Sequence, residues 1–183
     1  MVLEPLLERR QAEGPPQVPG LGTQAECSPC PFVLLTSGSR QLKPVVLPEA
    51  ALLARCRWGA ATFNLNRTSI YAHRAPVGFV DALTEVWPVL LVGGQVAACP
   101  EDEAGAGFWR WLAAACATHC TVVPVLLELQ GEMQRLLLPH LKVLISSGDV
   151  LQRRTAAAFK ECFPGTRLFN LYGLTECCGD CLA

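Results

Sequence analysis

The segment from Asn170 to Glu176 contains side chains that together could bind a nucleotide. Asn170 offers an amide that can bond a base edge, and Tyr172 offers a ring that can stack on the face of the base. Thr175 can donate to a phosphate oxygen, and Glu176 can hold the accompanying Mg²⁺. An apolar strand precedes the segment, so we expect a tight glycine turn at Gly173 to present these groups side by side.

A second candidate is the run Thr36-Ser37-Gly38-Ser39, which follows the apolar residues 32–35 directly. Small hydroxyl residues around a glycine expose backbone N–H groups and hydroxyls, and these are the groups that cradle phosphates. A Ser-Gly-Ser run after a strand is by itself more typical of an ordinary turn. Its interpretation as a phosphate loop therefore depends on the other motifs in the chain.

The segment 170–176 resembles the Asn-x-Tyr-Gly-x-Thr-Glu core motif of the adenylate-forming (AMP-binding) superfamily, which includes acyl-CoA synthetases and the adenylation domains of peptide synthetases. The extension 176–181, Glu-Cys-Cys-Gly-Asp-Cys, is most similar to plant and algal acyl-activating enzymes related to the beta-alanine-activating enzyme. The run 36–39 resembles the phosphate loop of the superfamily, and a deletion of one residue aligns Lys43 with the lysine of that loop. Family glycines are lost in this alignment, so we expect a shortened loop that approaches triphosphate less closely.

Two further segments resemble superfamily motifs. Residues 79–94 look like the Phe-Asp-x-Ser-x-x-Glu motif, but Val80 stands where amino-acid-activating members have the aspartate that pairs with the substrate ammonium. The resemblance therefore argues against an α-amino acid substrate unless Asp81 substitutes for that aspartate. The turn 147–149, Ser-Gly-Asp, stands where Gly-Gly-Glu usually borders the adenine pocket.

The resemblance implies a role for each of these residues. Tyr172 would stack on adenine, Asn170 and Gly148 would contact the adenine edge, and Glu176 would hold Mg²⁺. Thr175 and Glu176 are the predicted catalytic residues. The predicted ATP- or AMP-binding set is Thr36, Ser37, Gly38, Ser39, Lys43, Gly148, Asn170, Tyr172, Gly173 and Thr175. The predicted substrate pocket is lined by Val80, Thr84, Ile145, Ser147 and Leu171.

The implied reaction joins a carboxylate to the α-phosphate of ATP and expels pyrophosphate, with Mg²⁺ and loop donors neutralising the charge. The substrate would be a small carboxylic or amino acid, and the full-length protein would use a phosphopantetheine carrier or CoA. The sequence does not reach the Thr-Gly-Asp segment, the hinge or the C-terminal lysine domain of the family. We therefore expect a fragment of such an enzyme that binds nucleotide weakly and is inactive alone.

The hydrophobic pattern predicts the elements that position these groups. Strands are predicted at 32–35, 69–73, 95–98, 121–123, 142–146 and 167–169, and helices at 48–58, 79–92, 107–118, 124–138 and 152–162. This alternation predicts an α/β fold with a mostly parallel sheet and flanking helices, and the resemblance makes it an incomplete large N-terminal domain of the adenylate-forming fold. Such sheets bind ligands at the carboxyl ends of their strands, where we expect both Ser37 and Tyr172.

Composition narrows the class of protein. Residues 1–31 are rich in proline and polar residues and predict an irregular leader, and residues 32–183 are the predicted partial AMP-binding domain. A net charge of −1 argues against electrostatic affinity for nucleic acid or for an anionic membrane. No apolar run reaches the roughly 18 residues that a membrane-spanning helix needs. The N-terminus lacks the order of a signal peptide, so we expect a cytoplasmic protein.

The ten cysteines leave a different function open. Cys27/Cys30 and Cys178/Cys181 are Cys-x-x-Cys pairs, and His119 adjoins another cysteine, so a Cys-rich metal-binding α/β module is one alternative. Several other cysteines lie in apolar runs, where small thiols commonly pack in the core. A further alternative is a protein that retains part of a nucleotide pocket without catalysis.

Overall fold

The computed structural model describes residues 32–37, 42–103, 107–128 and 138–182. The predicted leader, 1–31, and two residues of the predicted phosphate loop, Gly38 and Ser39, lie outside the described residues. So do 129–137 of the predicted helix 124–138.

The first described element is an antiparallel hairpin of β1 (Phe32–Ser37) and β2 (Leu42–Leu47). The sequence pattern predicted that the first strand ends at Leu35, but Thr36 and Ser37 continue it. It did not predict β2, because Lys43 and Pro44 interrupt the apolar pattern. Both strands of a two-stranded hairpin are edge strands, and an edge strand tolerates proline.

A five-stranded parallel sheet forms the centre of the described structure. Its strands are β3 (Ile70–His73), β4 (Gln95–Ala98), β5 (His119–Val122), β6 (Val143–Ser146) and β7 (Arg167–Asn170), in the order β4-β3-β5-β6-β7. The predicted fold class is thereby confirmed. The expectation that Ser37 follows a strand of this sheet was wrong, because β1 pairs only with β2 among the described strands.

Helices connect the strands and cover both faces of the sheet. They are α1 (Glu49–Thr62), α2 (Val80–Leu91), α3 (Phe108–Ala114), α4 (Pro124–Glu128) and α5 (Arg153–Cys162). The helix predicted to begin at Pro48 begins at Glu49, and Pro48 is its N-cap. Gly93 follows the C-cap of α2 and adopts a φ of 79°, a left-handed conformation that glycine accepts without strain. None of the helices described here is long and apolar enough to cross a membrane.

The core has a cluster on each face of the sheet. Leu144 of β6 packs in one cluster with residues of α3 and α5 that include Phe108, Trp109 and Phe159. Val143 and Ile145 of the same strand point the other way and belong to a second cluster. This period of two along a fully buried strand is what a sheet covered on both faces requires. A third cluster lies under the hairpin, where Leu34, Val45 and Leu47 pack with Leu52 and Val80.

The last described strands, β8 (Tyr172–Leu174) and β9 (Gly179–Leu182), form a second antiparallel hairpin. A 3₁₀ turn, Thr175–Cys177, connects them. The predicted tight glycine turn at Gly173 was wrong, because Gly173 lies within an extended strand. Its lack of a side chain is needed for a different reason, which is the close approach of the Gly179 backbone.

Candidate nucleotide site

The carboxyl end of β7, β8 and the turn after it present the predicted nucleotide-binding side chains to solvent. The Tyr172 side chain is 58% exposed, and Asn170 and Glu176 are exposed as well. Thr175 is half-buried. An exposed ring contributes little to the core but can serve as a stacking surface for a base.

Lys43 and Glu176 bring the two predicted phosphate-binding segments together. Nζ of Lys43 donates to Oε1 of Glu176 at 3.2 Å, across 133 positions of sequence. A hydrogen bond from its own backbone N–H, together with the Lys43 ammonium, holds the pKa of Glu176 below its ordinary value. The Glu176 carboxylate is therefore charged at neutral pH and lies beside the end of the first hairpin.

Thr36 lies directly opposite Lys43 in that hairpin. Its hydroxyl donates to the Lys43 carbonyl oxygen at 3.3 Å, so it braces the strand that carries the lysine. Ser37 is paired with Leu42 in the same register. The hairpin thus positions Lys43 through backbone pairing with β1.

Gly148 follows β6, and Asn170 ends the neighbouring parallel strand β7. Ser146 of β6 is in register with Asn170 of β7, and the Leu171 N–H donates to the Ser146 carbonyl oxygen at 2.8 Å. Gly148, two residues beyond β6, is exposed and has a φ of 89°, which disfavours any side chain. Both residues therefore lie at the carboxyl ends of the strands, where open α/β sheets bind their ligands.

The five residues predicted to line the substrate pocket are all buried, and the structure divides them into two groups. Thr84 and Val80 of α2 lie against Gly179, at the start of β9. The Ser147 hydroxyl donates to Oδ1 of Asp180, the residue that follows Gly179, at 3.3 Å. The remaining two, Ile145 and Leu171, belong to the apolar core beneath.

A buried ion pair that the sequence analysis missed lies in the first of these groups. Nη2 of Arg55 in α1 donates to Oδ2 of Asp180 in β9, and the two side chains are 6% and 5% exposed. Arg55 shares the buried face of α1 with Leu52, Cys56 and Gly59. An arginine at helical spacing within such a stripe requires a buried partner, and that pattern could have indicated the pair.

Asp81 lies near the same pair. Burial raises the pKa of its carboxyl from 3.8 to about 6; the carboxylates of Asp180 and Glu85 add to the effect, and Arg55 opposes it. Asp81 is the residue that was considered as a substitute for the family's aspartate. It is half-buried, at the first turn of α2.

Glu85 fixes the loop that follows β3. Its buried Oε2 accepts hydrogen bonds from Nδ1 of His73 at 2.8 Å and from the backbone N–H groups of Arg74 at 2.9 Å and Ala75 at 3.0 Å. The hydrogen bond to Glu85 raises the pKa of His73. Glu85 was expected from the resemblance only as part of a motif, and its observed contacts orient the chain between β3 and α2.

A metal site formed by histidine and cysteine would need several such side chains close together in the described residues. Among them, no group of three or more His, Cys, Asp or Glu side chains could hold a metal ion. Both ring nitrogens of His119 are already engaged, with Thr118 Oγ1 at 2.7 Å and the Phe63 carbonyl oxygen at 3.0 Å. Burial lowers the pKa of His119 to about 4. Cys27 and Cys30 lie outside the part of the chain that the structure describes.

Residues 8–183 match the family model described as AMP-binding enzyme. This chain therefore belongs to the AMP-binding enzyme family. It is 32% identical over 190 residues to the beta-alanyl-bioamine nonribosomal peptide synthetase of Schistosoma mansoni, covering 85% of this chain and 16% of that protein. It is 26% identical over 151 residues to the D-alanine–D-alanyl carrier protein ligase of Bacillus cereus, covering 79% of this chain and 30% of the ligase.

Solved structures show the same fold. The Vibrio cholerae adenylation domain AlmE, in complex with glycyl-adenosine-5'-phosphate, superimposes with a TM-score of 0.76 at 22% identity, over 82% of this chain and 29% of that one. The N-terminal subdomain of Klebsiella oxytoca NpsA, in complex with anthranilyl-AMSN, gives a TM-score of 0.62 at 24% identity. This match covers 79% of this chain and 38% of that one. The chain therefore corresponds to a part of an adenylation domain and spans less than a third of the length of the curated relatives it matches.

Proposed function

We propose that this chain supplies the ATP or AMP site of an adenylate-forming ligase that activates a small carboxylic or amino acid as its acyl-adenylate. The observation that carries the proposal is the contact between Lys43 and Glu176. Two segments assigned to phosphate and Mg²⁺ binding from separate motifs meet at this contact. A structural role for both exposed side chains would not require that meeting.

The proposed roles are those that the resemblance to the family implies, and the exposure of Asn170, Tyr172 and Glu176 supports them. Tyr172 stacks on adenine, while Asn170 and the Gly148 backbone bond its edge. Lys43 and Thr175 bind phosphate oxygens, as do Ser37, Gly38 and Ser39. A charged, exposed carboxylate next to a hydroxyl fits Mg²⁺, which binds through one or two carboxylates plus phosphate oxygens. Glu176 would hold the ion, and when bound the ion neutralises charge on the phosphates.

Because Lys43 contacts Glu176, the two groups exchange partners when nucleotide binds. Lys43 moves to a phosphate oxygen, and Glu176 is released to the cation. Each new contact is charge-assisted, so the exchange replaces one surface ion pair with two ionic contacts. We expect weak binding, in about the millimolar range, because the surface pair must first separate and the loop is short.

The finer assignments belong to the same proposal. The sequence 176–181 supports a relationship with plant and algal acyl-activating enzymes related to the beta-alanine-activating enzyme. Residues 32–183 are proposed as the AMP-binding domain and 1–31 as a leader. A phosphopantetheine carrier or CoA would accept the acyl group in the whole protein. The unpaired thiols of the described cysteines support a reducing compartment, and we propose the cytoplasm.

Calorimetric titration of the 183-residue chain with ATP, with and without Mg²⁺, tests the proposal. The wild-type chain is expected to bind ATP more tightly when Mg²⁺ is present, and Glu176→Gln is expected to remove that difference. Glu161→Gln, an exposed carboxylate on α5, is the matched control and should retain it. Absence of nucleotide binding by the wild-type chain, or an unchanged Mg²⁺ effect in Glu176→Gln, would contradict the proposal.

A further inference from the structure

The Arg55–Asp180 ion pair lies among residues assigned to the acyl pocket, and its consequence for substrate choice rests on the proposed function. Val80 and Thr84 adjoin Gly179, and Ser147 bonds Asp180 itself. Asp180 is therefore a buried carboxylate at the position where an acyl group would be held. Val80 offers no charge, so a substrate ammonium would find Asp180 instead.

Arg55 is held in place on several sides. Its guanidinium carbon lies 4.6 Å from the centre of the Trp58 ring. Gly59, one helical turn further, leaves room for Nη1, because a Cβ on Gly59 would lie 2.7 Å from that atom. Together with the bond to Asp180, these contacts define a built position for the guanidinium. They are not the loose surroundings of a surface arginine.

The pair leaves unused donors on the arginine but no unused charge on the aspartate. Nε and Nη1 of Arg55 are buried and have no hydrogen-bond partner among the described residues. Asp180 uses one oxygen for Arg55 and the other for Ser147. A cationic substrate would have to compete with Arg55 for a carboxylate that is already neutralised.

We propose that Arg55 is a specificity-determining residue. As the resident cation on Asp180, it disfavours substrates that carry an ammonium group near the acyl chain and favours acids with an uncharged acyl chain. Arg55 acts through Asp180 and does not take part in the adenylation chemistry. Removing its charge frees Asp180 for a substrate ammonium, and removing the charge of Asp180 does the reverse.

The test compares two sulfamoyl-adenosine analogues, β-alanyl and butanoyl, which differ only in a terminal ammonium or methyl group. Their affinities for the 183-residue chain are measured by calorimetry, and the ratio of the two is the readout. Arg55→Met should shift this ratio about tenfold or more towards the β-alanyl analogue. Arg55→Gln should shift the affinity ratio in the same direction. Its side-chain amide can still donate to Asp180, so this variant keeps a partner for the buried carboxylate and serves if Arg55→Met does not fold. Asp180→Asn should shift it the opposite way.

Arg57→Gln is the matched control, because Arg57 is an exposed arginine on the same helix, and its ratio should equal that of the wild type. A wild-type preference for the β-alanyl analogue above about tenfold would overturn the inference. So would equal ratios in the wild type, Arg55→Gln and Asp180→Asn. If neither analogue binds the wild-type chain, the proposed function fails and the inference fails with it. If both bind with unchanged ratios, the inference alone fails.

Discussion

Gly173 and Gly179 approach each other so closely that a Cβ on Gly173 would lie 2.0 Å from the Gly179 carbonyl oxygen. The two residues belong to opposite strands of the β8–β9 hairpin, next to an irregularity in its register. No side chain fits between them, because the obstacle is backbone rather than a flexible side chain. The hairpin that carries the candidate nucleotide site therefore depends on glycine at position 173.

Gly173→Ala should destabilise the chain by about 1–3 kcal/mol, since the two strands must move apart to accept the methyl group. Thermal unfolding followed by circular dichroism measures the effect. Gly165→Ala is the control, because nothing lies within 4 Å of the added Cβ. Its unfolding temperature should match that of the wild type. Equal stability of the two variants would show that the hairpin is not packed as described.

Asp81→Asn should stabilise the chain near neutral pH by about 1–2 kcal/mol. The pKa of Asp81 is raised from 3.8 to about 6, so the charged form is disfavoured in the folded state. The free-energy penalty for burying the charged Asp81 carboxylate is absent below pH 3.8. It grows as pH rises towards the folded-state pKa and is complete above about pH 6. The favourable position of a carboxylate at a helix N-terminus reduces the gain.

Denaturant unfolding at about pH 7.5 and about pH 4 measures this effect, and the advantage of the Asn variant should shrink at the lower pH. Asp102→Asn, at an exposed acidic position, should show no such change. A constant difference between Asp81→Asn and the wild type across this range would mean that burial does not shift the Asp81 carboxyl.

His73→Gln should destabilise the chain more in mild acid than in mild alkali. The bond to Glu85 raises the pKa of His73 above 6.5, so its stabilising effect is complete below pH 6.5 and is lost as pH rises through the folded-state pKa. Denaturant unfolding at about pH 5.5 and about pH 8.5 measures the difference in free energy of unfolding between His73→Gln and the wild type at each pH. His140→Gln, in the exposed turn before β6, is the control. A larger effect of His73→Gln at the higher pH would contradict the described pair.

Tyr172→Ala should weaken AMP binding by about 1–3 kcal/mol and leave the unfolding temperature nearly unchanged. The reason is that the ring is exposed in the structure and is not part of the core. Tyr172→Phe keeps the stacking surface and should bind AMP as the wild type does. Loss of folding in Tyr172→Ala would instead identify the ring as a packing residue, and unaltered AMP affinity in a folded variant would contradict the stacking role.

The central sheet could be predicted because its strands are short apolar runs that glycine, proline or polar residues delimit. Predicted and observed strand boundaries differ by two residues or fewer for β3, β4, β5, β6 and β7. The hairpin strand β2 escaped prediction because Lys43 and Pro44, in its first half, interrupt the apolar pattern. Its pairing with β1 supplies the stability that local propensity does not, and pairing partners are not visible in a single strand.

The candidate site could be predicted in part for a similar reason. Asn170, Tyr172 and Glu176 were selected by their chemistry and are exposed, and Thr175 is half-buried. The Arg55–Asp180 pair was not found, because its members are 125 positions apart and each alone looks like a surface charge. Only the helical spacing of Leu52, Arg55 and Cys56 indicates that the arginine faces inward.

The separation of Lys43 from Glu176 has a consequence for the order of folding. Strands β3 to β7 pair with partners that are near in the chain, so the sheet can assemble stepwise as the polypeptide is made. The contact between Lys43 and Glu176 joins residues that are 133 positions apart. Closing so long a loop is entropically costly until the intervening elements are packed. The contact between the two phosphate-binding segments therefore depends on the packing of the elements between them, and a nucleotide that needs both segments would bind only when those elements are in place.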